Sequence, residues 1–307
     1  FDLMAINDLV SPFLSAGFYY KTFMWPKSFW EKIYEPIIRA SAGLGILSDQ
    51  PDPDIYDKGF LHCDILIIGA GASGLSAALA AGRAGARVIL ADEEFLMGGK
   101  LNAETFEVEQ KPGSIWANNT LDELSTMGNV QLLSQTTVFG AYDHGVFGAL
   151  ESFTNEPNTT VKKPRQVLWR IYSRCSILCA GATERSIAFA NNDRPGIMLA
   201  GAVRTYANRF AVTPGKRVTL MTNNDSGWRT AHDLHAKGVE IAAIVDSRNV
   251  EPLADIPGAK TLMGGHLSNS QGRMGLKSIT LSSGQKLKTD CLAVSGGWNP
   301  NVHLTCH

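Results

Sequence analysis

Residues 69–74 read GAGASG, which satisfies G-x-G-x-x-G with Gly69, Gly71 and Gly74, and Asp92 follows Gly71 by 21 residues. Each part of that spacing has a physical task. Gly69 allows a tight turn, Gly71 lets a pyrophosphate approach the backbone, and Gly74 lets a helix pack closely on a strand. A helix starting here would offer unpaired N–H groups and a partial positive charge to the phosphates. Asp92 can accept hydrogen bonds from a ribose 2′-hydroxyl. The run ADEE places three acids at 92–94 and no arginine, so a 2′-phosphate would be repelled. NAD or FAD is therefore expected, and NADP is not.

A second stretch, TNNDSG at 222–227, stands between an apolar strand and a helix in the same way. Thr222 and Asn224 replace the first two glycines, while Gly227 keeps the third, and Asp246 lies 22 residues after Asn224. The shape of the unit should persist. An asparagine side chain and the Asp225 charge now stand where a pyrophosphate must touch the backbone, so 222–227 is expected to hold no dinucleotide.

Other candidates carry less chemistry. Ser73 resembles a nucleophile flanked by glycines, but it begins a helix and reads as a helix N-terminal residue or phosphate ligand. His232 and His235 are three apart on one helix and read as a solvated helix end. Arg204 and Arg209 share a helix face after the Pro–Gly turn at 195–196; they could meet a flavin phosphate at a subunit interface or simply be solvated, and the same holds for Glu184 and Arg185. Cys175 and Cys179 are expected on one face of a buried strand, as packing. No C-x-x-C occurs, and no catalytic or metal-binding group is assigned.

These groups need a scaffold. CDILIIGAGASGLSAALAAGRAGARVILADEE (63–94) reads as strand, glycine loop, small-residue helix over 73–85 and second strand, with Ile65 to Ile68 apolar on both faces as in a covered parallel strand. A loop-and-helix region (97–129), short strands (130–138), a β-meander (145–151 and 166–172) and a returning strand at 175–179 follow. The second unit spans 216–246, with a helix over 226–237. Hairpin strands at 276–289 come next, and DCLAVSGGWNP (290–300) closes the unit. The expected class is α/β: two Rossmann-like domains, 61–182 and 183–300, with 301–307 starting a return to the first. Residues 1–60 form an aromatic-rich N-terminal segment and linker. Eight of the seventeen residues from Phe18 to Tyr34 are aromatic, and they need burial against the next domain or a partner chain.

The 307 residues suffice for two domains, and 44% hydrophobic content for a core in each. A net charge of −1 leaves no electrostatic footprint for nucleic acid or anionic membrane. Five scattered cysteines suggest reduced thiols in a cytoplasmic protein. No signal peptide is legible, and no apolar run reaches the roughly 20 residues of a membrane span. The chain starts without methionine and ends just after a strand, which reads as a fragment.

The order of elements resembles the two-dinucleotide-binding-domain flavoproteins, the glutathione-reductase-like superfamily, with CAGA (179–182) at the strand end of the first domain and SGGWNPN (295–301) at that of the second. GFYYKTFMWP (17–26), NNDRPGIMLAGAVRTYANR (191–209), TNNDS (222–226) and AVSGGWNPNVHL (293–304) resemble the α subunits of heterotetrameric sarcosine oxidases. The related α subunits of proline dehydrogenase and cyanide synthase match less closely. The resemblance implies NAD at the first fingerprint, FMN at the interface with a β subunit, amine oxidation at FAD in that β subunit, and smaller γ and δ partners. Oxygen would be reduced to peroxide by the whole complex, and the isolated fragment would not be catalytic. It also implies cofactor contacts from Gly69, Gly71, Ala72, Ser73, Gly74, Asp92, Glu93 and Glu94, and from Gly99, Lys100, Val138, Ala180, Gly181, Asn299 and Leu304. FAD is the alternative occupant. A stand-alone FAD/NAD(P)H-dependent reductase is the competing function, and it needs two working loops and a redox partner such as C-x-x-C.

Overall fold

The computed structural model describes residues 25–41, 43, 47–153 and 164–306, so the aromatic run before Trp25 lies outside the described residues. The chain divides into two compact units, 1–54 and 55–307. In the first, a 3₁₀ turn (Lys27–Phe29) and a π-helical turn (Trp30–Tyr34) lead into α1 (Glu35–Ser41). Phe29, Ile33 and Ile37 keep helical spacing, but all three remain exposed.

The second unit begins with β1 (Tyr56–Ile68), the glycine loop, α2 (Ala72–Arg83) and β2 (Val88–Ala91). A short hairpin of β3 (Glu107–Val108) and β4 (Lys111–Pro112) precedes α3 (Gly113–Thr126). Then come β5 (Val130–Leu133), β6 (Thr136–Tyr142), β7 (Val146–Ser152) and β8 (Gln166–Leu178). Together they make one six-stranded sheet in the order β5-β2-β1-β8-β7-β6. β5, β2, β1 and β8 run parallel, whereas β8, β7 and β6 form the antiparallel meander. Sequence patterning separates the meander strand at 166–172 from the returning strand at 175–179, yet both belong to β8. They are one because β1 extends back to Tyr56 and pairs along the whole of β8, from Tyr56↔Gln166 to Ile68↔Leu178. Cys175 is exposed and Cys179 lies beyond the strand end, so the expected shared buried face is corrected.

Apolar small residues let α2 lie close to the sheet: Leu75 and Ala78 are fully buried with Ile67 and Leu90. Burial of this kind, about 25 cal/mol per Å² of apolar surface, is the main term holding the layer together.

After β9 (Ala182–Glu184) and β10 (Ile197–Leu199) come α4 (Ala200–Phe210), β11 (Arg217–Thr222), α5 (Asp225–Ala236), β12 (Glu240–Asp246) and β13 (Lys260–Met263). An antiparallel sheet of β14 (Leu267–Gln271), β15 (Ser278–Leu281) and β16 (Lys286–Lys288) precedes β17 (Cys291–Ser295) and β18 (Trp298–Pro300). The second large sheet is wholly parallel, β10-β17-β11-β12-β13. β11 sits between β12 and β17 as β1 sits between β2 and β8, so the βαβ plan occurs twice. The short β9–β18 pair joins the halves, with Asn299 opposite Thr183. The strand-to-helix turn of each half lies at a topological switch point, where open α/β sheets leave a crevice.

Candidate functional site

A cavity of about 750 Å³ opens at the carboxyl end of β1. Its wall includes Gly69, Gly71, Ala72 and Ser73 from the glycine loop, Asp92, Glu93 and Glu94 from the end of β2, and Gly99 and Lys100 beyond. Val138 from β6, Ala180 and Gly181 after β8, and Leu304 near the chain end complete the expected set. Two expected residues stand apart. Gly74 is buried behind the loop, where a Cβ would collide with the Gly69 carbonyl oxygen. Asn299 is exposed in β18, and the cavity takes Asn301 instead.

Asn301 shows why. Its N–H donates to Gly181 O at 3.0 Å and its Nδ2 to Ala180 O at 2.9 Å, while its Oδ1 accepts from Thr183 Oγ1 at 2.8 Å. It therefore fixes the Ala180–Gly181 wall, whereas Asn299 is committed to strand pairing.

The three glycines differ in what requires them. Gly69 has φ +100°, and a Cβ there would strike the Cys179 carbonyl. Gly71 has φ −72°, which any residue tolerates, and a Cβ would meet nothing within 4 Å. No packing demand explains glycine at 71, and the open space above it suits a ligand. Gly71 is also the N-cap of α2, and no side chain caps that helix. Asp92 braces the loop by accepting from Ala70 N–H at 2.5 Å and Glu94 N–H at 2.8 Å. The structure thus fits a dinucleotide: a bare helix N-terminus for phosphates and a carboxylate beside it for a ribose.

The second loop is closed by its own side chains. Asn224 Oδ1 accepts from Ser226 N–H at 2.9 Å, and Asn224 Nδ2 donates to Ser295 O at 3.1 Å. Gly227 faces Thr222, where a Cβ would lie 2.5 Å from the threonine Cβ, so it serves packing. Asp246, at the station of Asp92, is fully buried and accepts from Trp228 Nε1 at 2.8 Å and from Arg248. Burial alone would raise its pKa, but the Arg248 and Trp228 hydrogen bonds outweigh that and hold the carboxyl below its ordinary value.

Beyond the expected set, Arg204 and Trp298 also line the cavity, and Glu184 lines a recess beside it. Arg204 is buried, with its Nε donating to Asp233 and its NH1 3.7 Å from Glu104. The expectation of a solvated arginine is corrected: α4 packs on α5 and turns Arg204 inward onto Asp233. Arg209 pairs with Glu94 at 3.4 Å. Trp298 lies under Lys100, whose Nζ is 3.2 Å from the ring centre; burial lowers the lysine pKa. Glu184, buried at 7% exposure, accepts from Gly201 N–H at 2.7 Å. Burial pushes its carboxyl above the ordinary glutamate value, with the Ser295 hydroxyl and the Gly201 N–H opposing. His232 is half-buried, not solvated, and its Nε2 has no hydrogen bond among the described residues. Among the described residues no His/Cys/Asp/Glu group could hold a metal, and no helix is long and apolar enough to cross a membrane.

Residues 64–108 match the FAD dependent oxidoreductase family model. The whole chain is 48% identical to the sarcosine oxidase subunit alpha of Rhizobium meliloti (strain 1021), over 32% of that protein. It is 36% identical over 85% of its length to the corresponding subunit of Corynebacterium sp. (strain P-1), over 29% of that protein. The chain thus spans about a third of the length of these relatives. L-Proline dehydrogenase from P. horikoshii shares the fold, with a TM-score of 0.62, 18% identity, and coverage of 83% of this chain and 45% of that one.

Proposed function

Because the chain is a homologue, along its whole length, of about a third of sarcosine oxidase subunit alpha, we propose that it is the NAD-binding portion of such a subunit, within a multisubunit oxidoreductase. The contrast between the two loops carries this reading. The uncapped start of α2 with open space over Gly71 supports one dinucleotide site. The start of α5, closed by Asn224, supports the absence of a second. A free-standing FAD/NAD(P)H reductase would need both.

The bare N–H groups of α2 would hold the pyrophosphate, Asp92 the adenosine ribose, and the Val138 backbone the adenine. Bound NAD supplies a ring able to accept a hydride. Amine oxidation then belongs to a β subunit carrying FAD, with FMN against this chain at their interface and γ and δ subunits completing the assembly. Sarcosine is the proposed amine, and oxygen would be reduced to hydrogen peroxide by the complex.

Thermal unfolding with added nucleotides tests the site. NAD at about 100 times its Kd adds about 2.7 kcal/mol and raises Tm by several degrees. NADP, whose 2′-phosphate would face Asp92, Glu93 and Glu94, should leave Tm unchanged. Equal shifts from NADP, or a shift from FAD alone, would overturn the assignment.

A further inference from the structure

Both βαβ repeats contribute a helix start to the wall of the main cavity. Ala72 and Ser73 enter from the first turn of α2, and Ser226 and Arg229 from the first two turns of α5. Arg229 is exposed, and among the described residues its guanidinium has no hydrogen bond or ion pair. The cause is local. On a helix an arginine meets acids one turn away, at i−4 and i+4. Both acids are present here, and both are engaged elsewhere. Asp225 pairs with Arg248 at 2.9 Å, while Asp233 accepts from Arg204, from Asn208 Nδ2 and from Thr105 Oγ1. Glu104 borders Arg229 in the cavity and in an adjoining recess of about 570 Å³, but it lies 3.7 Å from Arg204.

The wall's other lysine and arginine are already held. Lys100 Nζ stands 3.2 Å from the centre of the Trp298 ring, and Arg204 is buried against Asp233. A dinucleotide in this cavity brings two negative phosphates, whereas the start of α2 offers about half a positive charge. The pyrophosphate is therefore short of counter-charge. A guanidinium supplies it in a fitting shape, because its planar fork donates two parallel N–H bonds to phosphate oxygens.

We propose that Arg229 is a phosphate-binding residue of the dinucleotide site, reaching the pyrophosphate from α5 while the N–H groups of α2 hold it. The assignment rests on the dinucleotide reading and adds to it a residue outside the glycine fingerprint. The repeat whose own loop is closed by Asn224 thus serves the site of the other repeat.

Calorimetry on the purified protein, in whatever assembly it forms and freed of nucleotide, tests this with NAD, ADP-ribose and adenosine. The first two share the pyrophosphate, and adenosine lacks it. Arg229→Gln should weaken NAD and ADP-ribose alike by about tenfold, the lower end for a hydrogen bond between charged groups because the side chain is exposed. Adenosine affinity and the Tm of the nucleotide-free protein should stay unchanged. Unaltered NAD affinity in the variant, a loss for NAD that spares ADP-ribose, or an equal loss for adenosine would overturn the assignment. Failure of wild type to bind both NAD and ADP-ribose would overturn the dinucleotide reading, and this inference with it.

Discussion

Asn224 Oδ1 accepts the backbone N–H of Ser226 at 2.9 Å, so the first turn of α5 is closed by its own side chain. Gly71, at the same station of the first βαβ repeat, has no side chain to close α2. Two copies of one βαβ plan thus differ at the atom that decides whether a phosphate can approach. Asn224→Ala should lower stability by about 1 kcal/mol through loss of the cap, read as a lower denaturation midpoint. Nucleotide content should not change, because the first site is untouched.

The glycines of the first loop separate folding from binding. Gly71→Ala places a Cβ in open space at an ordinary φ, so Tm should stay within a degree or two while NAD affinity falls at least tenfold. Gly74→Ala drives a Cβ into the Gly69 carbonyl and should destabilise the fold by about 1–3 kcal/mol. Parallel thermal melts and NAD titrations of the two variants check the distinction. A Gly71→Ala protein that binds NAD normally would remove the case for phosphate at that loop.

Much of the fold was legible because it is local. An apolar run, a glycine loop and a small-residue helix lie within thirty residues of Cys63, and the same grammar reappears from Lys216. The loop acids and Val138 reach the cavity for that reason. Glu184, Arg204 and Trp298 were not placed there, because the β9–β18 crossing and the packing of α4 on α5 bring them in from distant sequence. Asn299 and Asn301 are the same residue type two positions apart. Only the pairing of Asn299 with Thr183 reveals that Asn301 is the one left to hold the cavity wall. Likewise, Ser173 and Arg174 look like a break in the chain, yet β8 continues through them because β1 pairs with it on both sides, at Cys63↔Ser173 and Ile65↔Cys175.

Two buried carboxyls should tilt the stability–pH profile in opposite directions. Glu184 has a folded pKa above its ordinary 4.5, mainly through burial. The folded state keeps that proton longer, so stability present below 4.5 is lost as pH rises through the folded value. Asp246 is held below its ordinary 3.8 by Arg248 and Trp228, against the effect of burial. Its contribution is present above 3.8 and is lost as pH falls through the folded value. Urea titrations across pH 3–8 should therefore show that Glu184→Gln removes a decline above about pH 4.5. An unaltered slope would mean that Glu184 titrates normally.

Asp233 joins the halves of the second unit. It accepts from Arg204, from Asn208 Nδ2 at 3.1 Å and from Thr105 Oγ1 at 2.7 Å. Asp233→Ala leaves the buried Arg204 guanidinium with only Glu104, 3.7 Å away, and should cost about 3 kcal/mol. Pairing it with Arg204→Met should recover part of that loss, since the uncompensated charge disappears as well. Denaturation midpoints of the two single variants and the double variant measure the coupling, and simple additivity would count against the pair.

The count of nucleotides per chain tests the central claim most directly. The protein is denatured, and every released nucleotide is identified and quantified by mass spectrometry against the amount of this chain. One NAD per chain, lost in Gly71→Ala and retained in Asn224→Ala, is the predicted result. Two dinucleotides per chain, or one FAD in place of NAD, would contradict it.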